Sequence, residues 1–221
     1  MAETKETVET TVETNEVVAK AKDFWGKFSN PIIYAGSAVI LLVGGWLAYK
    51  NFVVAPKQAK SADAIFPAEQ IFDKMAQAGF NKDSINLVLN GGNGITGVLK
   101  IISNFGGSDA ANRAEFIAGA CYLHSQDFNN AIKHLKEFST SATQVQASAY
   151  SMLGDASAEL KKNDDALSYY TKAASLNAKD ESLSAEFLFK AGLFAESIGK
   201  SKEAIELFQK LKAEYPKNSH A

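Results

Sequence analysis

The sequence predicts an all-α protein, in which a single N-terminal transmembrane helix is followed by an α-solenoid of about three helical hairpins. Two observations lead to this fold class. First, a long apolar stretch near the N-terminus, Pro31 to Tyr49, carries no charged side chain. Second, three segments from residue 112 onward contain small and bulky residues at the same internal spacing. One anchor and one repeat domain account for most of the chain.

The apolar stretch is long enough to span a bilayer as a helix. At about 1.5 Å per residue it covers roughly 28 Å, close to the thickness of the hydrocarbon core. Apolar side chains resume after Lys50 and Asn51, so we assign residues 31–55 to the span. A buried helix of a soluble protein and a cleaved signal sequence are the alternatives. The Glu-rich residues before the stretch favour an uncleaved anchor over the signal. Aromatic residues, which favour membrane interfaces, flank both ends: Trp25, Phe28, Tyr34, Trp46, Tyr49 and Phe52.

Two segments precede the span. Residues 1–16 are rich in Thr and Glu and contain no aromatic residue, which predicts a disordered acidic tail. Residues 17–30 carry an apolar stripe at helical spacing with lysines beside it. We interpret this segment as a short amphipathic helix in the headgroup region that ends at Pro31. A disordered approach to the membrane is the alternative.

The span offers a packing surface but no clear orientation. Gly44 and Ala48 form a small-xxx-small pair, and Gly36 lies two turns earlier on roughly the same face. Such a stripe lets a neighbouring helix approach closely, although isolated glycines are also common in membrane helices. The positive-inside count is a tie. The lysines are Lys20, Lys22 and Lys27 before the span, and Lys50, Lys57 and Lys60 after it.

The region between the span and the repeats predicts helices joined by a glycine-rich loop. Residues 56–67 form a linker or a C-terminal extension of the anchor helix, and residues 68–111 form a helical lead-in. The glycines Gly92, Gly94 and Gly97 match a dinucleotide-binding fingerprint. That site would need further βαβ units, and none follows, so we interpret the glycines as a connection between helices.

Residues 112–221 repeat a helical hairpin with periods of 35 and 38. Each unit has a Gly, an Ala twelve residues later and a bulky residue four residues after that. The small residue lets the second helix of a hairpin approach the first, and the bulky residues fill the space between units. The three sets are Gly119, Ala131 and Leu135; Gly154, Ala166 and Tyr170; and Gly192, Ala204 and Phe208.

This spacing, closed by Pro216, resembles the tetratricopeptide repeat. The Trp that is typical of the repeat is absent, since Glu115, Tyr150 and Leu188 occupy its place. The resemblance implies a tetratricopeptide-repeat α-solenoid with a protein-binding groove on its first helices, suited to an extended chain or a partner's helix. Plain packing is the alternative for each groove residue. The repeat's groove positions correspond to Arg113, Phe116, Ala120, Leu123, Ser148, Ser151, Asp155, Ala158, Glu186, Phe189, Leu193 and Glu196.

No enzyme, cofactor or metal site is predicted. The only nucleophile–base pair on one helix is Cys121 with His124, and no polar residue is placed to orient that His. The three histidines lack metal-binding spacing. With one Arg and a net charge of −2, the chain offers no basic face for nucleic acid.

The last hairpin lacks the solvating helix that commonly follows such repeats. We therefore expect an apolar strip on it that includes Ile205, Phe208 and Leu211. A partner, self-association or further residues would cover this strip.

One anchor, a lead-in and these repeats together resemble the YfgM-like family of bacterial inner-membrane proteins. The most particular stretch is GVLKIISNFGGSDAANRAEFIAGACYLHSQDFNNAIKHL, residues 97–135. The resemblance implies a cytoplasmic N-terminus and a periplasmic repeat domain. It also implies association with the SecYEG translocon, with a PpiD-like prolyl isomerase or chaperone, and with secretory polypeptides. A cytosol-facing receptor for targeting sequences and a scaffold for envelope assembly are the alternatives.

Overall fold

The computed structural model describes residues 3–176 and 180–219, with the side chains of residues 3–17 and of Ile32 left out. It divides into two units, Met1–Pro56 and Lys57–Ala221, which we describe separately.

The first unit is helical throughout its described part. Helix α1 is Glu3–Tyr49, and a π-helical segment, Lys50–Val54, follows it. The large apolar side chains of the predicted span are exposed, Leu41 and Leu42 by 76% and 74%. Within the described residues, one helical stretch, Ile33–Ala78, has the length and composition needed to cross a membrane.

Two expectations for this unit differ from the structure. Residues 3–16, for which we predicted disorder, belong to α1, and residues 1–2 lie outside the description. These residues include no Gly or Pro, so a helix already formed can extend into them at little cost. The helix also does not end at Pro31, which lies inside α1 and removes one backbone donor.

The second unit begins with the lead-in. Helix α2 is Ala55–Ala78, so residues 56–67 are helical, in agreement with the second of the two alternatives for this segment. Helices α3, Lys82–Asn90, and α4, Val98–Phe105, follow. Between them, β1, Gly91–Gly92, pairs with β2, Ile95–Thr96, in an antiparallel hairpin.

The hairpin explains the glycine cluster. Asn93 and Gly94 form its two-residue turn with φ of 52° and 82°, the conformation that Asn-Gly turns adopt. A Cβ at Gly97 would overlap the backbone of Leu89, Asn90 and Gly91. These glycines therefore allow a tight turn and a close backbone approach.

Three hairpins follow the lead-in. Their helices are α5, Asp109–His124; α6, Phe128–Glu137; α7, Thr143–Glu159; α8, Asn163–Leu176; α9, Glu181–Ser197; and α10, Ser201–Glu214.

Each repeat glycine contacts the bulky residue of its own hairpin. A Cβ on Gly119 would lie 2.5 Å from Leu135 Cγ, and one on Gly192 would lie 2.5 Å from Phe208 Cε1. The close approach of the two helices is thus confirmed. The bulky residues fill space inside their hairpins, however, whereas we expected them between units, because the missing side chain of each glycine leaves that space open.

The turns inside the hairpins also repeat. Gln126, Lys161 and Gly199 have φ of 63°, 58° and 79° at equivalent positions, 35 and 38 residues apart. In each turn the next backbone N–H donates to a carbonyl five residues earlier, as Asp127 does to Tyr122. This left-handed cap ends each first helix and reverses the chain.

The lead-in packs on the first hairpin. Apolar residues of α2, α3, α4 and α5 form one core, with Ile65, Val98 and Cys121 fully buried. The side-chain oxygen of Gln58 accepts a 3.0 Å hydrogen bond from the backbone N–H of Asp109, at the start of α5. The lead-in therefore adds a helical layer to the repeats.

Candidate protein-binding groove

Two adjoining pockets lie on the first helices of the hairpins, and we call them together the groove. The α2–α5 pocket has a volume of about 370 Å³ and the α7–α9 pocket about 540 Å³. Phe116 and Val145 line both pockets, and Val145 is 41% exposed. The α2–α5 pocket is lined by Glu69, Phe72, Asp73, Asn112, Arg113, Phe116, Ile117, Phe138, Thr140 and Val145. The α7–α9 pocket is lined by Phe116, Gln144, Val145, Ser148, Asp180, Ser182 and Leu183.

Aromatic contacts build the α2–α5 pocket. The ring of Phe116 lies 5.0 Å from that of Phe138 and 6.5 Å from that of Phe72, centroid to centroid. Phe116 is partly buried and packs against both the lead-in core and the core of the first two hairpins. The pocket wall is therefore held from three elements.

Side-chain hydrogen bonds fix the loops at the rim. The amide of Asn112 donates to the carbonyl of Ser139 at 2.8 Å and accepts from its N–H at 3.1 Å. The amide of Gln144 donates to Asp180 at 2.8 Å, and Asp180 caps α9 by accepting from Leu183 N–H. These hydrogen bonds lower the pKa of Asp180, so its carboxylate stays charged at the rim.

Two basic side chains on the first helices, Arg113 of α5 and Lys190 of α9, are already paired. The guanidinium group of Arg113 contacts Glu69 at 2.6 Å. The ammonium group of Lys190 lies 2.7 Å from Asp155 and donates to Ser151 at 2.9 Å. Asp155, a predicted groove position, therefore neutralises Lys190.

The other predicted groove residues differ in exposure. Ala120 is buried and Ser148 lines the α7–α9 pocket. Phe189 is partly buried, with its ring 6.1 Å from that of Phe208. The remaining positions are exposed or half-buried: Leu123, Ala158, Glu186, Leu193 and Glu196.

Most residues that line the two pockets were not among the predicted groove positions, and Glu69, Phe72 and Asp73 of α2 lie outside the repeats altogether. The apolar face of residues 68–80 was visible as a helical stripe, but nothing local shows that this helix packs beside the first repeat. Val145, at the start of α7, was also missed because it precedes the repeat's groove positions.

The expected apolar strip on the last hairpin is only partly present. Ile205 is 56% exposed, as predicted. Leu211 is buried and Phe208 partly buried, because both side chains lie on α10 and pack against α9. The strip is therefore smaller than we expected.

The Cys121–His124 pair has the wrong environment for a nucleophile. Burial raises the pKa of the Cys121 thiol to about 12, whereas a nucleophilic cysteine needs a lowered pKa. The ring of His124 stacks on Phe80 at 3.6 Å, and burial lowers its pKa. In the part of the chain that the structure describes, no cluster of His, Cys, Asp and Glu could hold a metal ion.

The predicted packing stripe lies in α1. Apart from the neighbouring backbone of α1 itself, no described atom comes within 4 Å of a Cβ built at Gly36 or Gly44, so both positions are open. Packing of a partner helix against them and Ala48 stays a prediction.

The family comparison supports the repeats. The tetratricopeptide-repeat family matches residues 151–219, which lie in the second and third hairpins. Comparisons with curated proteins and with solved structures gave no match. The chain therefore contains tetratricopeptide repeats, a fold that generally serves as a non-catalytic module for protein–protein interaction.

Proposed function

We propose that this protein is a non-catalytic ancillary subunit of the bacterial Sec protein-export translocon. The anchor lies in the inner membrane with the N-terminus in the cytoplasm, and the repeat domain lies in the periplasm. There the groove binds a PpiD-like prolyl isomerase or chaperone, emerging secretory chains, or both. One observation carries the proposal: a helix able to cross a membrane and a set of protein-binding repeats occur in the same chain.

Tethering explains why such a groove can work with weak contacts. An anchor beside the channel raises the effective concentration of the groove near an emerging chain, so modest affinity is sufficient. The groove has an apolar floor with a polar rim and a hydrogen-bonded wall, which suits side chains of an unfolded polypeptide.

Protease protection tests the orientation. In spheroplasts, an external protease should remove the repeat domain, and in intact cells the domain should be protected. Protection in spheroplasts as well would favour the cytosol-facing receptor for targeting sequences, which the equal lysine counts on the two sides of the span allow.

Photocrosslinking tests the partner. A photoreactive residue at Val145, in both pockets, should form adducts with translocon subunits, the chaperone or secretory chains. The same residue at Glu206, which is exposed on α10 outside the groove, is the control. Adducts only with envelope-assembly enzymes would contradict the proposal and favour the scaffold.

The anchor has a separate role in the proposal. Replacing Gly44 and Ala48 by Leu closes the small-residue stripe and should reduce co-purification with translocon subunits. Leu at Gly45 is the matched control, because it also adds bulk to the helix but lies beside the stripe. Unchanged co-purification in the double variant would contradict the proposal that a translocon helix packs against this stripe.

A further inference from the structure

The α2–α5 pocket is distinct from the groove of the repeats alone because a helix outside the repeats forms one wall. Helix α2 contributes Phe72 to the floor and Glu69 and Asp73 to the rim. The floor is otherwise aromatic and aliphatic, and its volume of about 370 Å³ has room for a large side chain. Val145 remains 41% exposed at the edge where a bound chain would continue into the second pocket.

The charges on the groove do not balance. Arg113 is the one basic residue lining either pocket in the described chain, and Glu69 already neutralises it at 2.6 Å. Asp73 is exposed and makes no hydrogen bond or ion pair with a described residue. The donors that Asp180 receives from the described residues are neutral and come from Gln144 and from the start of α9. Among the described residues, each pocket thus keeps one carboxylate without a cation beside it.

We propose that the α2–α5 pocket binds a large apolar side chain, aromatic or Leu, of an unfolded polypeptide in which a Lys or Arg lies next to it. The basic residue pairs with Asp73, and a second one further along the chain pairs with Asp180. This inference rests on the proposed function and specifies the sequence class that the groove accepts.

The apolar contact and the ion pairs contribute differently to binding. Burial of the apolar side chain provides most of the affinity, because packed aromatic rings form the floor. The ion pairs are exposed, so each changes affinity only about two- to fivefold and weakens with salt. Charge therefore provides selectivity between chains of similar hydrophobicity.

Binding of designed peptides to the full chain in phosphatidylcholine nanodiscs tests the inference. The zwitterionic lipid limits adsorption of basic peptides, and empty nanodiscs provide the blank. One fluorescent Gly/Ser peptide carries a Phe-Leu pair flanked by lysines. A second has glutamates in place of the lysines, and a third has serines in place of Phe-Leu. Fluorescence anisotropy at low and physiological salt gives the dissociation constants.

The Lys peptide should bind about three- to tenfold more tightly than the Glu peptide at low salt, consistent with one or two exposed pairs. The serine peptide should bind weakest. Asp73→Lys should reverse the preference between the Lys and Glu peptides. Glu206→Lys makes the same charge change on α10, outside the groove, and should preserve it. Val145→Ser should weaken both apolar peptides, and circular dichroism would verify folding of each variant.

Equal binding of the Lys and Glu peptides, or an unchanged preference in Asp73→Lys, would overturn the inference. Tight binding of the serine peptide would overturn its apolar part. If Asp73→Lys does not fold, Asp73→Asn at the same exposed position should lower the preference for the Lys peptide. An unchanged preference in Asp73→Asn would contradict the inference. If Val145 crosslinks to secretory chains but the peptides bind without selectivity, only this inference is wrong. If the peptides bind selectively but no such crosslinks form, only the proposed function is wrong.

Discussion

Tyr170 belongs to a group of side-chain contacts that joins three helices, so its replacement by Phe tests how neighbouring hairpins hold together. Tyr170 is only 4% exposed, and its hydroxyl donates to Asp155 at 2.7 Å. Asp155 also pairs with Lys190, whose ammonium lies 5.0 Å from the Tyr170 ring centroid. The contacts join α7, α8 and α9.

We expect Tyr170→Phe to lower the free energy of unfolding by about 1–1.5 kcal/mol. A hydrogen bond to a charged acceptor contributes roughly 1.5–3 kcal/mol. The expected loss lies at or below the lower end of that range, because the Asp155 side chain is 35% exposed and water replaces part of the lost hydrogen bond. The Phe ring keeps the contact with Gly154, so no cavity contributes.

The neighbouring Tyr169 supplies a matched control. It is partly buried, and its hydroxyl makes no hydrogen bond with any residue in the described ranges. Tyr169→Phe deletes the same atom and should cost less than about 0.5 kcal/mol.

Urea unfolding of the full chain in detergent micelles measures both effects. Far-UV circular dichroism is the signal, because both tryptophans, Trp25 and Trp46, lie in α1 and do not report on the repeats. In Tyr170→Phe, amide exchange should accelerate first in α9 and α10, since repeat stability depends on nearest-neighbour contacts. Equal costs for Tyr170→Phe and Tyr169→Phe would refute the reasoning.

Three further predictions concern the repeats. Gly154→Ala should destabilise the protein by about 1–2 kcal/mol in urea unfolding, because the new Cβ would lie 2.6 Å from Cδ1 of the rigid Tyr170 ring. This cost exceeds the gain from the better helix propensity of Ala, and a gain in stability would contradict the contact. Lys161→Gly should stabilise it by about 0.5–1 kcal/mol, because φ is 58° at that turn; a loss in the same assay would contradict this. Cys121 should resist maleimide at pH 8 in the native protein and react once urea unfolds it. A pKa of about 12 leaves only about one thiol in 10⁴ ionised at that pH, so rapid labelling of the native protein would refute this prediction.

The hairpins could be predicted because their signals are local. A glycine, an alanine and a bulky residue recur within one hairpin, and the structure buries Ala131, Ala166 and Ala204. The β-hairpin was predictable too, since Asn93-Gly94 is a strong turn signal, but we interpreted the glycines only as a connection.

The groove could be predicted only in part because its contacts join distant parts of the chain. Arg113 meets Glu69 across 44 positions, and Lys190 meets Asp155 across 35. Repeat positions identify residues on the first helices, but they do not show which charges are neutralised. They also do not show that α2 provides a wall.

The pairing of these charges has a consequence for partner selection. The whole chain has a net charge of only −2, so composition does not predict a strongly acidic binding surface. Because Arg113 and Lys190 are held in ion pairs, we expect Asp73 and Asp180 to set the sign of the charge that the described part of the groove presents. Replacing Glu69 by Gln should free Arg113 and weaken the preference for basic peptides without touching Asp73. The preference should therefore depend on Glu69, which pairs with Arg113 and not with the peptide's basic residue. This dependence distinguishes a groove whose charge is set by internal pairing from a simple acidic patch.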